Sequence, residues 1–210
     1  MLPDYSHLVF FLTTTVLLNI LPGSDVLYIG SQSLYDQKQG IFAALGISTG
    51  IAFYIVATAL GLTAILQSSS MAFNIIKIIG AIYLLYLAYN MFTQKESPIS
   101  VTKTSLKSKS SAYYKGVYTN ILNPKVGIFF VTFLPQFISP SQGSVGLQLL
   151  SLGIIFLISG TLVNLIYVFL FTQVRHLFIK KPHLQKWLNK LTGSIFCLIA
   201  LMVITSKQEA

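Results

Sequence analysis

Apolar side chains run along this chain in six stretches, about residues 5–34, 41–66, 71–92, 115–138, 145–172 and 191–205. A helix crosses a bilayer with about 20 apolar residues, and the stretches read as six such spans. None shows the alternating ten-residue segments of a membrane strand barrel. The pattern therefore predicts an all-α integral membrane protein with six transmembrane helices. Two stretches are interrupted, the first by Leu21-Pro22-Gly23-Ser24-Asp25 and the fourth by Asn123-Pro124-Lys125. Proline removes a backbone donor and clashes with the preceding turn, so spans one and four are expected to be broken helices.

The two halves of the chain resemble each other. Asn19-Ile20-Leu21-Pro22 recurs as Asn120-Ile121-Leu122-Asn123-Pro124, Leu45-Gly46-Ile47 as Leu152-Gly153-Ile154, and Lys77-x-x-Gly80-Ala81-Ile82-Tyr83 as Lys190-x-x-Gly193-Ser194-Ile195-Phe196. Three spans per half force the second half to enter the membrane in the opposite sense. The expected architecture is one membrane domain over residues 1–210, built as two inverted three-helix repeats. Repeat one covers about 1–92, a Ser/Thr/Lys-rich cytoplasmic linker about 93–112, and repeat two about 113–210. Inverted repeats with matched broken helices are typical of secondary transporters.

Composition supports a membrane location. The 210 residues are 54% hydrophobic and 9% charged, against roughly 25% charged in soluble domains. The N-terminal stretch lacks Lys and Arg and carries Asp4, so it is read as a retained span and not as a cleavable signal. The net charge of +9 would suggest nucleic acid in a soluble protein. Here eleven of the fourteen Lys and Arg fall between apolar stretches on one side (Lys38; Lys95, Lys103, Lys107, Lys109, Lys115; Arg175, Lys180, Lys181, Lys186, Lys190). The positive-inside rule places those loops in the cytoplasm, against anionic lipid, and both termini outside. No nucleic-acid motif is present. Cys197 is the single cysteine, which excludes an intrachain disulfide, and no metal-ligand spacing or cofactor motif occurs.

The candidate chemistry lies at the two breaks. Freed backbone groups within hydrocarbon need partners, and such breaks are tolerated where they line a cavity. Asp25 is a carboxylate inside a span, which is costly and usually functional. It could hold a substrate ammonium, carry a coupling proton, or, like Ser24, cap the second half-helix. Asn123 is a good N-cap and Pro124 fits a first helical turn, leaving amides aimed at an anionic group, with Lys125 adding a full charge. The alternative for Lys125 is snorkelling to the headgroups. Pro22 and Gly23 complete the first break. Lys77, Tyr54 and Asn164 are candidate pathway-lining residues, with snorkelling for Lys77 and interhelical hydrogen bonds for the others, and for Tyr167, as the plainer readings. Gly46, Gly50, Gly61, Gly153 and Gly160 are read as close-packing positions. One acid with one or two bases suits a zwitterion, whereas a metal path would want several oxygen ligands.

At these residues the chain resembles the LysE/RhtB family of amino-acid exporters, the LysE-type translocators. Asn123-Pro124-Lys125-x-x-x-Phe129-Phe130 and Phe133-Leu134-Pro135-Gln136-Phe137 match family motifs, as do the third-span run 77–87 and Gln39-Gly40 through Gly50. The family's Pro-Gly-Pro followed by Asn or Asp stands here as Pro22-Gly23-Ser24-Asp25, with Ser24 in place of proline. The resemblance implies a bacterial inner-membrane exporter of amino acids or derivatives such as threonine or homoserine, driven by proton exchange, with a homodimer among its assemblies. Lys125 would disfavour a strongly cationic substrate. The rival readings are export of another solute on a related fold and a non-transporting membrane assembly protein. A thiol carrier would need a cysteine pair, and an intramembrane enzyme would need catalytic motifs that are absent.

Overall fold

The computed structural model describes residues 5–21, 23–68, 70–93, 108–139 and 142–173, together with residues 190, 194, 197, 198, 200 and 201. All regular structure among them is helical. The helices are α1 (Tyr5–Ile20), α2 (Ser24–Tyr35), α3 (Gln37–Ser68), α4 (Ser70–Thr93), α5 (Lys109–Ile121), α6 (Pro124–Ile128) and α7 (Val145–Gln173). Between α6 and α7 the chain passes through one π-helical turn, Phe129–Phe133, and one 3-10 turn, Leu134–Phe137. Most of the sixth expected span lies outside the described residues, as do most of its half of the Lys77/Lys190 repeat and the greater part of the expected linker. The helix α5 begins at Lys109, so the last residues assigned to the linker are helical.

Among the described residues two helices are long and apolar enough to cross a membrane, Gln37–Gly61 and Val145–Gln173. At about 1.5 Å per residue both exceed the roughly 30 Å hydrocarbon layer. Two further spans form if bent pairs are counted as one each: Leu8–Ile20 with Ser24–Tyr35, bent by 49°, and Lys109–Ile121 with Pro124–Phe137, bent by 48°. The bends fall at Leu21-Pro22-Gly23 and Leu122-Asn123, where proline chemistry placed them. Pro22 itself lies outside the described residues.

Each local structure has a residue-level cause. Ser108 starts α5 by accepting from the Ser111 amide at 3.3 Å. Asn123 starts α6 by accepting from the Lys125 amide at 3.0 Å, with Pro124 in the first turn. Asp36 forms the corner between α2 and α3, its carboxylate accepting from the Lys38 amide. Pro135 has no amide hydrogen, so regular helix cannot continue through it, and the chain tightens to the 3-10 turn. The Gln136 side chain donates to the Thr132 carbonyl at 2.8 Å and supplies a bond there.

The core is aliphatic around α3 and aromatic around the π turn. Phe129 stacks on Phe156 with centroids 4.3 Å apart, and Phe11 meets Phe137 edge-on. These rings tie α1, the π turn and α7 together. Along α7 a buried stripe (Leu149, Leu152, Phe156, Val168) faces this core. Ile154, Ile158, Leu162 and Ile166 point outward, as expected of a helix with lipid on its other side.

The helices α3 and α5 cross at backbone contact. A Cβ on Gly46 would sit 2.1 Å from the Tyr113 carbonyl oxygen, and one on Gly116 would sit 2.5 Å from that of Ala43. Neither backbone can yield without separating the helices. Gly50 and Gly153 are tight against the side chains of Asn120 and Ile55, and Gly160 more loosely against that of Asn19. Gly61 departs from the expectation: a Cβ there would meet nothing within 4 Å. Gly116→Ala is therefore expected to destabilise the protein by about 1–3 kcal/mol despite alanine's better helix propensity. Gly61→Ala is expected to be neutral or slightly stabilising. Thermal unfolding of the two variants in detergent checks the contrast.

Candidate functional site

The two breaks lie against each other, and side chains from each half satisfy the other half's freed backbone. The last turn of α1 would normally bond forward, but residue 22 is proline and the chain turns away. Lys125 from the second break fills this gap, its Nζ donating to the carbonyls of Leu18 at 3.2 Å and Leu21 at 3.1 Å. A cation at a helix C-terminus also meets the negative end of the helix dipole. Tyr167 on α7 donates its hydroxyl to the Ile20 carbonyl. Reciprocally, Tyr54 on α3 donates to the Ile121 carbonyl at 2.6 Å, at the end of α5. Ile20 and Ile121 are equivalent positions in the repeated motif.

The repeated asparagines also cross between the halves. Asn19 donates to Ser159 Oγ at 3.1 Å and packs against Gly160. Asn120 donates to Asp25 Oδ2 at 3.0 Å and packs against Gly50.

Asp25 is the centre of the arrangement. It is the second residue of α2, 7% exposed, and its carboxylate is directed at α5. Gly23 occupies the N-cap of α2 and no side chain caps that helix, so neither Ser24 nor Asp25 plays the capping part. Asp25 still stands in the first turn, where the helix dipole favours a negative charge. Lys125 acts on it as the nearby positive charge while its ammonium is bonded to the α1 carbonyls. Asn123 faces the same carboxylate. Three buried polar atoms here have no protein partner: Asp25 Oδ1, Asn120 Oδ1 and Asn123 Nδ2.

Of the expected site residues, Gly23, Asp25, Asn123, Pro124 and Lys125 are brought together. Gly23 is close enough that a Cβ would stand 3.3 Å from Lys125 Nζ. Ser24 is exposed at the start of α2. Tyr54 joins the group, stacked on Phe130 at 5.8 Å between centroids. Asn164 is buried on α7 and takes no part in the hydrogen bonds just described. Lys77 lies on α4, and its side chain is outside the described residues. Asn120 was visible in the sequence only as the repeat partner of Asn19, and that repetition was the one signal for it. Among the described residues no three His, Cys, Asp or Glu side chains converge as a metal would require.

The family model for LysE type translocators matches residues 16–207. A Vibrio cholerae protein named only as a membrane protein is 33% identical over 94% of this chain and 96% of its own. The homoserine/homoserine lactone efflux protein of Salmonella typhimurium is 29% identical over 94% of this chain and 95% of its own. The threonine efflux protein of Salmonella typhi is 26% identical over 89% and 91%. No solved structure matches.

Proposed function

Because the chain belongs to the LysE type translocator family, we propose that it exports small neutral amino acids, with homoserine and threonine as first candidates. The observation that carries the reading is Asp25: a buried carboxylate with one unbonded oxygen, at the junction of two broken spans and facing a lysine. Asp25 holds the substrate ammonium or the coupling proton. The amides following Pro22 and Pro124, with Asn123 and the charge of Lys125, receive the carboxylate. Ser24 and Gly23 line the approach to the first break. Tyr54, Lys77 and Asn164 line the pathway. Relatives named for homoserine and threonine efflux support the substrate class.

The transporter works by alternating access between two inverted three-helix repeats, 1–92 and 113–210, with six spans in all. The reciprocal capping of Ile20 by Tyr167 and of Ile121 by Tyr54 supports the two-fold relation. It sits in the bacterial inner membrane with its basic loops in the cytoplasm and exchanges substrate for protons. The test is purified protein in liposomes preloaded with labelled homoserine, threonine or lysine, with and without an imposed pH gradient. Saturable efflux of homoserine and threonine, accelerated by the gradient and absent for lysine, is expected. No efflux of any amino acid from correctly inserted protein would overturn the proposal.

A further inference from the structure

The unpartnered atoms around Asp25 differ in kind. Asp25 Oδ1 and Asn120 Oδ1 are acceptors, and Asn123 Nδ2 is a donor. All three side chains are more than nine-tenths buried. A buried polar atom without a partner costs about 1–3 kcal/mol, so three on one carboxylate and its two neighbours are poorly suited to a purely structural cluster. Asn123 faces the Asp25 carboxylate, so the two acceptors are what remains for a ligand, and they suit an ammonium.

We propose that Asn120 is a substrate-binding residue, sharing the substrate ammonium with Asp25. This deepens the amino-acid reading above and rests on it. The hydrogen bond between Asn120 and Asp25 makes the two act as a unit. A carboxylate only accepts, so the amide must turn its NH2 to Asp25, which leaves its oxygen without a partner. Two unpartnered acceptors on two bonded side chains suit two N–H bonds of one ammonium. An asparagine here supplies the second acceptor without a second negative charge next to Asp25. Gly50 holds Asn120 in place: a Cβ there would be 2.7 Å from both Asn120 Cβ and Oδ1.

The probe is an N-methyl series of homoserine in the liposome assay. The monomethyl compound keeps two N–H bonds, the dimethyl compound one and the trimethyl compound none. Wild-type KM is expected to be little changed by the first methyl and to rise about tenfold or more at the second, the scale of one hydrogen bond to a charged group. In Asn120→Leu, which keeps the branched shape and removes both polar atoms, the KM of homoserine itself rises and most of the step at the second methyl disappears. A merely structural Asn120 would leave that step intact. The exchange Asp25→Asn with Asn120→Asp keeps one acid bonded to one amide, and it is expected to recover a measurable part of the efflux that Asp25→Asn loses. An undiminished step in Asn120→Leu overturns the assignment. If that variant does not insert, the wild-type series decides alone, and equal KM across the four compounds overturns it. Absence of any saturable amino-acid efflux from wild-type protein would instead remove the function on which the assignment rests.

Discussion

Asp25→Asn is expected to lower efflux by at least about 100-fold while the protein still inserts and folds. One charge-assisted contact to an ammonium is worth about 1.5–3 kcal/mol, and loss of a coupling proton would cost more. The shape of the site changes little, because an asparagine oxygen can still accept from Asn120 Nδ2, which now holds Asp25 Oδ2 at 3.0 Å. Nor is a cap lost, since Gly23 starts α2 without side-chain help. Removing the carboxylate relieves its own desolvation but leaves Lys125 without its counter-charge; the ammonium keeps its bonds to the Leu18 and Leu21 carbonyls, so the melting temperature is expected to fall only modestly. That pairing of lost transport with largely retained stability separates a functional acid from a structural one. Normal efflux by the variant would sink the proposed role, and a collapsed melting temperature would make Asp25 a packing element. The paired measurement is initial efflux rate in liposomes and thermal unfolding in detergent.

What could be read beforehand follows the range of the interactions. The two broken spans were legible because proline, glycine and asparagine act within one turn. Pro124 and Asn123 behave as their local chemistry dictates, and the bends of 49° and 48° fall where the interruptions stand. The long spans were legible from apolar length alone. The partners of the freed carbonyls were not legible, because they come from far along the chain. Lys125 reaches Leu18 across 107 positions and Tyr167 reaches Ile20 across 147. A lysine near a basic loop looks like a snorkelling residue until the helix end that it bonds is in view. The π turn at Phe129–Phe133 was hidden for a related reason, since nothing in an aromatic run states which carbonyls will skip a residue. Gly46 and Gly61 look alike in sequence, and only the opposing backbone distinguishes them. Asn120 is an intermediate case. Its repetition of Asn19 marked the position, but its bond to Asp25 depends on how the two breaks meet.

Lys125→Met is expected to cause the largest loss of stability of any single change at the site. Methionine fills the space of the aliphatic stem, so little packing is lost. The ammonium is lost, and with it the bonds to the Leu18 and Leu21 carbonyls at the broken end of α1. The Leu18 carbonyl keeps the Leu21 amide at 3.2 Å, whereas losing the Leu21 carbonyl's bond costs about 1–3 kcal/mol in a non-aqueous setting. Asp25 also loses its positive neighbour, and an uncompensated buried charge costs about 3–5 kcal/mol where a pair is broken. These contributions overlap, so the expected fall is several kcal/mol and not their total. The double variant Asp25→Asn/Lys125→Met should be more stable than Lys125→Met alone, because the stranded charge is gone while the backbone at the end of α1 is in the same state in both. The difference between the two, measured by thermal unfolding in detergent, isolates the electrostatic part. Lys125→Arg keeps a cation but replaces a compact ammonium with a wider planar group, and Gly23 leaves little room beside it. It should hold most of the stability and lose transport. A snorkelling lysine predicts the opposite pattern, with Lys125→Met within about 0.5 kcal/mol of wild type and Lys125→Arg indistinguishable from it.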